Sequence, residues 1–181
     1  DVQSRGVVAD ETKRLAELLA LPENTGRPAD EIDVSSLEIK TPDVLYRWYP
    51  FSDKIIAAAR GVDTTTDDVE IGALLAAQPL TVSDFRLIKR EMAAVRTFTG
   101  SDIANSQQTM DGSGNPAVGI YMNPGRATEF GNWTEPNAGR AMGMVLDGRL
   151  AEQPATINDR LEDYFVIQSG GVVGFTSAEI K

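Results

Sequence analysis

The segment from Asp111 to Asn115 carries the residue types of a cation-binding loop. Asp111, Ser113 and Asn115 alternate with glycines, and spaced oxygen ligands of this kind begin the calcium loop of an EF-hand. That loop also needs glycine at its sixth position and glutamate at its twelfth, where this chain has Pro116 and Met122. These residues are therefore typical of a tight turn, and we predict no metal site.

Paired carboxylates are the second candidate for chemistry. Acidic neighbours occur at Asp67-Asp68 and at Glu162-Asp163. A glycosidase-type reaction needs two carboxylates that face each other across a cleft, and adjacency in sequence does not create that arrangement. Because the chain has no histidine and no cysteine, it lacks the commonest general base and any thiol nucleophile. We predict no catalytic residue and no enzymatic activity.

The chain contains no sequence motif that binds a nucleotide cofactor. Gly112-Ser113-Gly114 is not followed by the third glycine of a dinucleotide fingerprint, and a Gly-Lys-Ser/Thr phosphate loop does not occur. We therefore predict no cofactor and no cofactor-binding residue.

Composition narrows the possible partners. The 181 residues are 41% hydrophobic, enough for a core, and their formal net charge is -10. Acidic residues are spread along the whole length, which argues against nucleic acid and against an anionic membrane surface, since both attract clustered Lys and Arg. No apolar run reaches the roughly 18 residues that suggest a membrane-spanning helix.

Residues 1–98 are predicted to form a mixed, mainly helical domain whose role the sequence does not indicate. Helices are expected at Glu11–Leu21, Ser52–Arg60, Asp68–Ala77 and Ser83–Arg96, and short strands at Leu37–Ile39 and Val44–Tyr49. Within Ser83–Arg96, the helical spacing of the apolar residues Phe85, Ile88, Met92 and Val95 predicts a stripe that packs in the core. A partner-docking groove is the alternative.

Residues 99–181 change to short strands separated by Gly and Asn turns, and we predict an α+β domain with an antiparallel sheet and helices on one face. The expected strands are 106–110, 117–122, 141–146, 149–152, 164–168 and 172–175, with a helix at Pro124–Gly131. Thr176 and Glu179 have the spacing of a capping box, which starts a helix. Because the chain stops at Lys181, we expect a fragment cut within its C-terminal helix.

An ordered series of motifs in this second half resembles the SecD family, the membrane subunit of bacterial Sec protein export (SecD/SecF family). The series comprises Pro116-Ala117-Val118-Gly119, Phe130, Thr134, Asn137, Gly139-Arg140, Val145-Leu146-Asp147-Gly148, Pro154, Gly174-Phe175-Thr176 and Glu179. Thr99-Gly100-Ser101-Asp102-Ile103 resembles the motif that opens the same region. The matching part of the family is a large periplasmic domain, and the resemblance implies a ferredoxin-like fold for residues 99–181.

The resemblance also implies a function. SecD works with SecF and the Sec channel, and it uses the proton gradient to help preproteins complete their export. The chain would then be an extracytoplasmic fragment that contacts emerging unfolded polypeptide, anchored by transmembrane helices outside it on the periplasmic face of the inner membrane. Contact with polypeptide would use exposed apolar and backbone groups, with a sheet edge as one possibility.

Each family-motif residue has a structural explanation. Asp147-Gly148 suits a hairpin turn because glycine tolerates positive φ, and Phe130 is expected to point from its helix into the sheet. Thr134 and Asn137 can bond the backbone of an irregular loop. We expect the whole set to serve the scaffold: Phe130, Thr134, Asn137, Gly139, Arg140, Leu146, Asp147, Gly148, Pro154, Thr176 and Glu179.

Two alternatives stay open. A free-standing envelope binding or assembly module could have the same fold, and hydrophobic segments on either side of the fragment would distinguish a SecD subunit from it. A carboxylate-based hydrolase would require two facing acids of raised pKa in a cleft.

Overall fold

The computed structural model describes residues 2–65, 67–92 and 97–168. Its α-helices are α1 (Val2–Leu19), α2 (Asp53–Ala59), α3 (Asp68–Ala76) and α4 (Pro124–Thr134). Its strands are β1 (Ile39–Lys40), β2 (Val44–Pro50), β3 (Phe85–Glu91), β4 (Ile103–Met110), β5 (Pro116–Met122), β6 (Ala141–Met142), β7 (Val145–Leu146), β8 (Arg149–Leu150), β9 (Ala155–Thr156) and β10 (Tyr164–Gln168).

The chain divides into two compact units. Unit 1 comprises Asp1–Arg90 and Val145–Ala151, and unit 2 comprises Glu91–Met144 and Glu152–Lys181. The short segment Val145–Ala151 therefore belongs to the same unit as the N-terminal residues, although more than fifty residues of unit 2 precede it in sequence.

In the part of the chain that the structure describes, unit 1 combines α1, α2 and α3 with the sheet β1-β2-β3. The helices predicted in residues 1–77 are confirmed, but α1 begins at Val2 rather than at Glu11 and ends at Leu19, and a 3-10 turn follows at Pro22–Asn24. Asp67 caps α3 by accepting hydrogen bonds from two backbone N–H groups, as expected for an N-cap residue. The predicted strand at Leu37–Ile39 is displaced, since Ser35–Leu37 forms a 3-10 turn and the strand is Ile39–Lys40.

The helix predicted at Ser83–Arg96 is wrong. Val82–Asp84 is a 3-10 turn, and Phe85–Glu91 is strand β3, paired with β2. Phe85 and Ile88 fit a helical stripe, but a short apolar run does not distinguish helix from strand, and pairing with β2 satisfies the backbone here. Residues 93–96, including Val95, lie outside the described residues.

Unit 2 contains an antiparallel sheet in the order β10-β5-β4, with α4 packed on one face. The hairpin predicted around Asp111–Asn115 is confirmed, and α4 continues three residues beyond its predicted end. The core between helix and sheet contains Ile120, Met122, Ala127, Phe130 and Ile167. This is the predicted α+β architecture. The strand predicted at 172–175 and the helix predicted from Thr176 lie outside the described residues.

The strand predicted at 141–146 is broken in the structure. Ala141–Met142 pairs with β9, whereas Val145–Leu146 pairs with β8 in a separate hairpin. Gly143 lies at the break, and glycine weakens the interior of a strand. The turn predicted at Asp147-Gly148 is confirmed, but the second strand ends at Leu150 rather than at Glu152.

Candidate functional site

Phe130 lies on α4 and is 4% exposed. Its ring contacts Phe98 edge-on at 4.8 Å between centroids and stacks with Phe165 of β10 at 5.2 Å. Aromatic pairs at these spacings add to the free energy of apolar burial. Phe130 therefore joins the helix, the sheet and the segment before β4.

Thr134, at the end of α4, is completely buried. Its hydroxyl donates to the Gly131 carbonyl at 3.2 Å and accepts from the Leu161 N–H at 2.8 Å. Gly131 allows this loop to approach, since a Cβ there would lie 2.5 Å from Glu162 Cγ and 2.9 Å from Arg160 Nε. These two positions attach the loop before β10 to the helix.

Asn137 and its neighbours shape the turn that follows α4. The Asn137 side chain donates to the Trp133 carbonyl at 2.7 Å and accepts from Arg140 at 3.1 Å. Gly139 has a φ of 79°, and its N–H donates to the Ile157 carbonyl at 2.8 Å. The positive φ favours glycine at this position. Pro154 is half-buried and directly precedes β9.

Leu146, Asp147 and Gly148 form the end of the β7–β8 hairpin in unit 1. Leu146 is 65% exposed, while Asp147 and Gly148 have φ values of 49° and 81°. Two consecutive positive φ angles are typical of the type I′ turn that joins two-residue hairpins. The motif residues Thr176 and Glu179 lie outside the described residues.

Arg149 attaches this hairpin to the rest of unit 1. Its guanidinium bonds Asp30 and Asp53, each at 2.5 Å. The hydrogen bond from Arg149 lowers the pKa of Asp30 below its usual value. Next to it, Leu150 is fully buried, and its carbonyl accepts from the Ser52 N–H at 2.9 Å.

The segment Thr99–Ile103 forms a corner that leads into β4. Thr99 and Asp102 make a capping box, with the Thr99 N–H donating to the Asp102 carboxylate at 2.8 Å. This backbone hydrogen bond is the main cause that lowers the pKa of Asp102. Arg126 of α4 donates to Asp102 at 3.0 Å and to the Thr97 carbonyl at 2.8 Å. The charge at Asp102 is therefore compensated.

Strand β4 is the last strand of the sheet in the part of the chain that the structure describes. We call its outer side, along Ile103–Met110, the β4 edge. Seven of its eight residues are exposed. An open edge presents N–H and C=O groups that can pair with another chain.

Hydrogen bonds at the end of β5 indicate which β4 residues point outward. The Met122 N–H donates to the backbone carbonyl of Asp163, next to β10. The Asn123 N–H donates to the backbone carbonyl of Asp102, next to β4. Because donors alternate between neighbours along an antiparallel strand, the odd-numbered β5 residues bond β4. Their register partners include Gln107, so the backbone groups of Ser106 and Met110 point away from β5.

The sequence of β4 carries few of the residues that usually protect an edge strand. Natural edges carry charged residues, especially Lys, or Pro, whereas Asn105–Thr109 reads Asn-Ser-Gln-Gln-Thr. A register irregularity occurs only near the start, between Ile103 and Asn105. We did not predict this site from motifs, although an uncharged polar strand without proline is a signal present in the sequence.

Asp111 directly follows this edge. Its carboxylate accepts hydrogen bonds from the N–H groups of Ser113 and Asn115, each at 2.8 Å. The bond from Asn115 is the main cause that lowers the pKa of Asp111. The segment proposed and rejected as a calcium loop is therefore a turn closed by its own aspartate.

Other acidic groups in the described residues do not form a catalytic arrangement. Asp67 caps α3, and Glu162 bonds Arg160. Burial raises the pKa of Glu152 to about 7, but this is a single carboxyl. Across residues 2–65, 67–92 and 97–168, no three His, Cys, Asp or Glu side chains come together as a metal site requires. Nor does any helix there have the length and apolarity of a membrane span.

The family model and the known proteins that resemble this chain agree with one another. Residues 83–177 match the family model "SecDF, P1 head subdomain". A protein translocase subunit SecDF of Thermus thermophilus is 35% identical over 68 residues, which are 38% of this chain and 9% of that protein. A protein translocase subunit SecD of Dictyoglomus turgidum is 29% identical over 104 residues, covering 57% and 24% of the two chains. The chain thus spans under a quarter of these relatives.

A solved structure described as the membrane component SecDF that enhances protein export is similar at 21% identity and a TM-score of 0.43. The match covers 76% of this chain and 60% of that one. A TM-score of 0.43 is too low to assign the fold, which rests on the strands and helices described above. The family model, in contrast, matches more than half of the chain, and the chain belongs to the SecDF P1 head family.

Proposed function

We propose that the chain is the extracytoplasmic domain of a SecD-type protein-translocase subunit and assists the export of preproteins. Membership of the SecDF P1 head family supports this assignment, and several relatives are named as translocase subunits. The activity is mechanical rather than enzymatic. It depends on the proton gradient through the membrane part of the subunit, which lies outside this chain.

The proposed partners follow from the same assignment. SecF and the Sec channel would hold the subunit in the inner membrane, and the domain would lie on the periplasmic face. A preprotein leaving the channel is the polypeptide that the domain contacts. Nucleic acid is not a partner, because the chain has a net charge of -10 and phosphate backbones require basic surfaces.

The β4 edge is the observation that carries the proposed mechanism. An extended polypeptide can add to an exposed edge as a further strand, and the affinity then comes from main-chain hydrogen bonds. Main-chain groups are the same in every preprotein, so this mode of binding accepts many sequences. Ser106 and Met110 direct their backbone groups toward such a strand.

The side chains of β4 suit transient contact with a moving chain. Register is strongly set where one face of a strand is buried, and weakly set in strands that are polar on both sides. Most of β4 is exposed and uncharged polar. Each backbone hydrogen bond contributes a net stabilisation of only about 1 kcal/mol, so a paired segment can shift its register and dissociate.

A single substitution at the edge tests this mechanism. Proline at position 106 removes an outward N–H without removing a bond to β5, and proline is tolerated on edge strands. We expect Ser106→Pro to weaken binding of a capped peptide of about nine alternating Thr and Val residues roughly fivefold or more, measured by fluorescence anisotropy with the 181-residue chain. The control Ser106→Ala keeps the N–H and should bind like the wild type.

The same pair of variants tests the function in cells. Placed in the full-length subunit, Ser106→Pro should slow preprotein export, measured by pulse-chase, while Ser106→Ala should not. Circular dichroism and thermal melting of the domain establish that both variants fold. Unchanged peptide binding and unchanged export in a folded Ser106→Pro variant would show that the β4 edge is not the contact site.

A further inference from the structure

The chain contains two Asp-Gly pairs, Asp111-Gly112 and Asp147-Gly148. Among aspartyl sequences, this pair isomerises most readily, because glycine has no side chain to hinder a reaction at its own nitrogen. Both pairs lie in the turn of a hairpin, the first after β4 and the second after β7. The surroundings that the fold gives to each turn therefore determine how fast each pair reacts.

Isomerisation of aspartate proceeds through a cyclic succinimide. The backbone nitrogen of the glycine attacks Cγ of the aspartate and loses its proton, and the carboxyl hydroxyl leaves with a proton as one water. Water then opens the ring on either side. Opening at Cγ restores aspartate, whereas opening at the main-chain carbonyl gives isoaspartate, in which the main chain runs through Cβ and Cγ. The net change consumes no oxidant and no co-reactant, but the carboxyl must be able to turn toward the next nitrogen.

The turn after β4 restrains the Asp111 carboxylate. Its Oδ1 accepts from the N–H groups of Ser113 and Asn115, each at 2.8 Å, and its Oδ2 accepts from the Asn115 side-chain amide at 3.1 Å. These bonds must break before Cγ can reach the Gly112 nitrogen. The bond from the Asn115 backbone also lowers the pKa of Asp111, so a smaller share of the group is the protonated acid that can release water.

The turn between β7 and β8 places no such restraint on Asp147. Asp147 and Gly148 are both exposed, and a Cβ built on Gly148 would meet nothing within 4 Å. Within residues 2–65, 67–92 and 97–168, the Asp147 carboxylate makes no hydrogen bond or ion pair. Rotation of this carboxyl toward the Gly148 nitrogen therefore breaks no side-chain contact of these kinds.

The tip of this hairpin also opens at low cost. Strands β7 and β8 have two residues each, hairpins of this size are marginally stable, and Leu146 is 65% exposed. Asp147 has a φ of 49°, which is unfavourable for residues other than glycine. Because Arg149 and Leu150 hold β8 in unit 1, opening involves the turn and β7, and exposed segments open locally without global unfolding.

We propose that Asp147 is a modification site at which aspartate converts to isoaspartate in the folded protein, whereas Asp111 is protected by its own turn. The product has an additional carbon in the main chain of a two-residue turn, and the type I′ geometry no longer fits it. The pairing of Leu146 with Arg149 is thereby weakened. The hairpin therefore loosens as the protein ages, independently of any contact with preproteins.

Incubation of the 181-residue chain at neutral pH and physiological temperature, followed by peptide mapping with mass spectrometry, measures both pairs in one molecule. An isoaspartyl peptide has the mass of the original peptide but elutes separately. In the folded protein we expect isoaspartate to form at position 147 at least roughly tenfold faster than at position 111, a difference of about 1.4 kcal/mol in activation free energy. In concentrated urea the two rates should converge, because both pairs then belong to an unfolded chain.

A charge-conserving variant identifies the reacting residue. Asp147→Glu keeps the carboxylate, but attack by the next nitrogen would have to close a six-membered ring, which forms far more slowly. The second species of the hairpin peptide should therefore be absent from this variant. Its persistence in Asp147→Glu would assign the new species to another residue and overturn the proposal.

Two results in the folded wild type would contradict the proposal. Equal rates at positions 147 and 111 would show that the turn of Asp111 gives no protection. Isoaspartate at position 147 in urea but not in the folded protein would show that the hairpin itself prevents the reaction.

Hydrogen exchange tests the consequence for the hairpin. After incubation, peptides that carry isoaspartate at position 147 should exchange the amides of residues 145–150 faster than the unmodified peptides of the same sample. The amides of β5 are the control and should exchange at the same rate before and after incubation. Identical exchange in modified and unmodified hairpin peptides would rule out the proposed loosening.

Discussion

At the scale of single residues, Glu152 is a buried carboxyl that links stability to pH. It is 8% exposed, and its Oε2 has no hydrogen-bond partner among the described residues. Burial raises its pKa from 4.5 to about 7. The folded state therefore holds the proton more tightly than the unfolded state, and Glu152 makes stability fall as pH rises from about 4.5 to about 7.

We expect Glu152→Gln to remove much of this pH dependence. At about 1.4 kcal/mol for each pKa unit, the destabilisation above pH 7 is on the order of 3 kcal/mol. Urea unfolding at pH 5 and pH 8 should show a larger gain for the variant at pH 8 than at pH 5. An identical stability difference at the two pH values would mean that Glu152 titrates normally in the folded protein.

Gly131 offers a second test at this scale. Gly131→Ala places a methyl group 2.5 Å from Glu162 Cγ and 2.9 Å from Arg160 Nε, so these two side chains must shift, and overpacking of this kind costs roughly 1–3 kcal/mol. Gly125→Ala, in the same helix, meets nothing within 4 Å and should be neutral or slightly stabilising. Thermal melting of both variants compares them, and equal melting temperatures would show that the Glu162 and Arg160 side chains do not restrict position 131.

At the scale of elements, the β7–β8 hairpin depends on the backbone angles of its turn. Gly148 has a φ of 81°, and a β-branched side chain is strongly disfavoured there. Gly148→Val should destabilise unit 1 by more than about 1 kcal/mol, measured by chemical unfolding.

The matched variant at the neighbouring turn position separates backbone from charge. Asp147→Asn keeps a residue type that accepts the observed φ of 49° and should fold with wild-type stability. In the full-length subunit it should also support export, whereas Gly148→Val should lose export in proportion to its folded fraction. A folded Asp147→Asn variant without export activity would instead make the carboxylate functional.

At the scale of the whole molecule, the membership of Val145–Ala151 in unit 1 has a measurable consequence. Ile71 is fully buried in unit 1, and replacing a buried Ile by Ala costs about 2–5 kcal/mol. Ile71→Ala should therefore lower hydrogen-exchange protection of Val145–Leu150 in peptide-level mass spectrometry. Ile120→Ala, in the core of unit 2, is the control and should lower protection of β5 more than that of the hairpin. The reverse pattern would assign the hairpin to unit 2.

Two segments show which parts of the fold could be predicted from the sequence and which could not. The β4–β5 hairpin was predicted because its turn residues and strand pattern are local signals. The segment Ser83–Arg96 was predicted as a helix because Phe85 and Ile88 also fit helical spacing, but β3 forms by pairing with β2. Pairing with β2, which is distant in sequence, favours a strand over a helix here. A short window of sequence around Ser83–Arg96 does not include β2.

The sequence by itself indicated the family, through the ordered motifs from Pro116 to Glu179, and the α+β class, because turn residues and apolar spacing act over a few positions. Tertiary structure alone decided which unit holds Val145–Ala151, since Arg149 reaches Asp30 and Asp53 from far along the chain. Among the described residues, it also placed β4 at the end of the strand order β10-β5-β4. Strand order is set by which surfaces bury one another, and that property belongs to the folded chain rather than to any one segment.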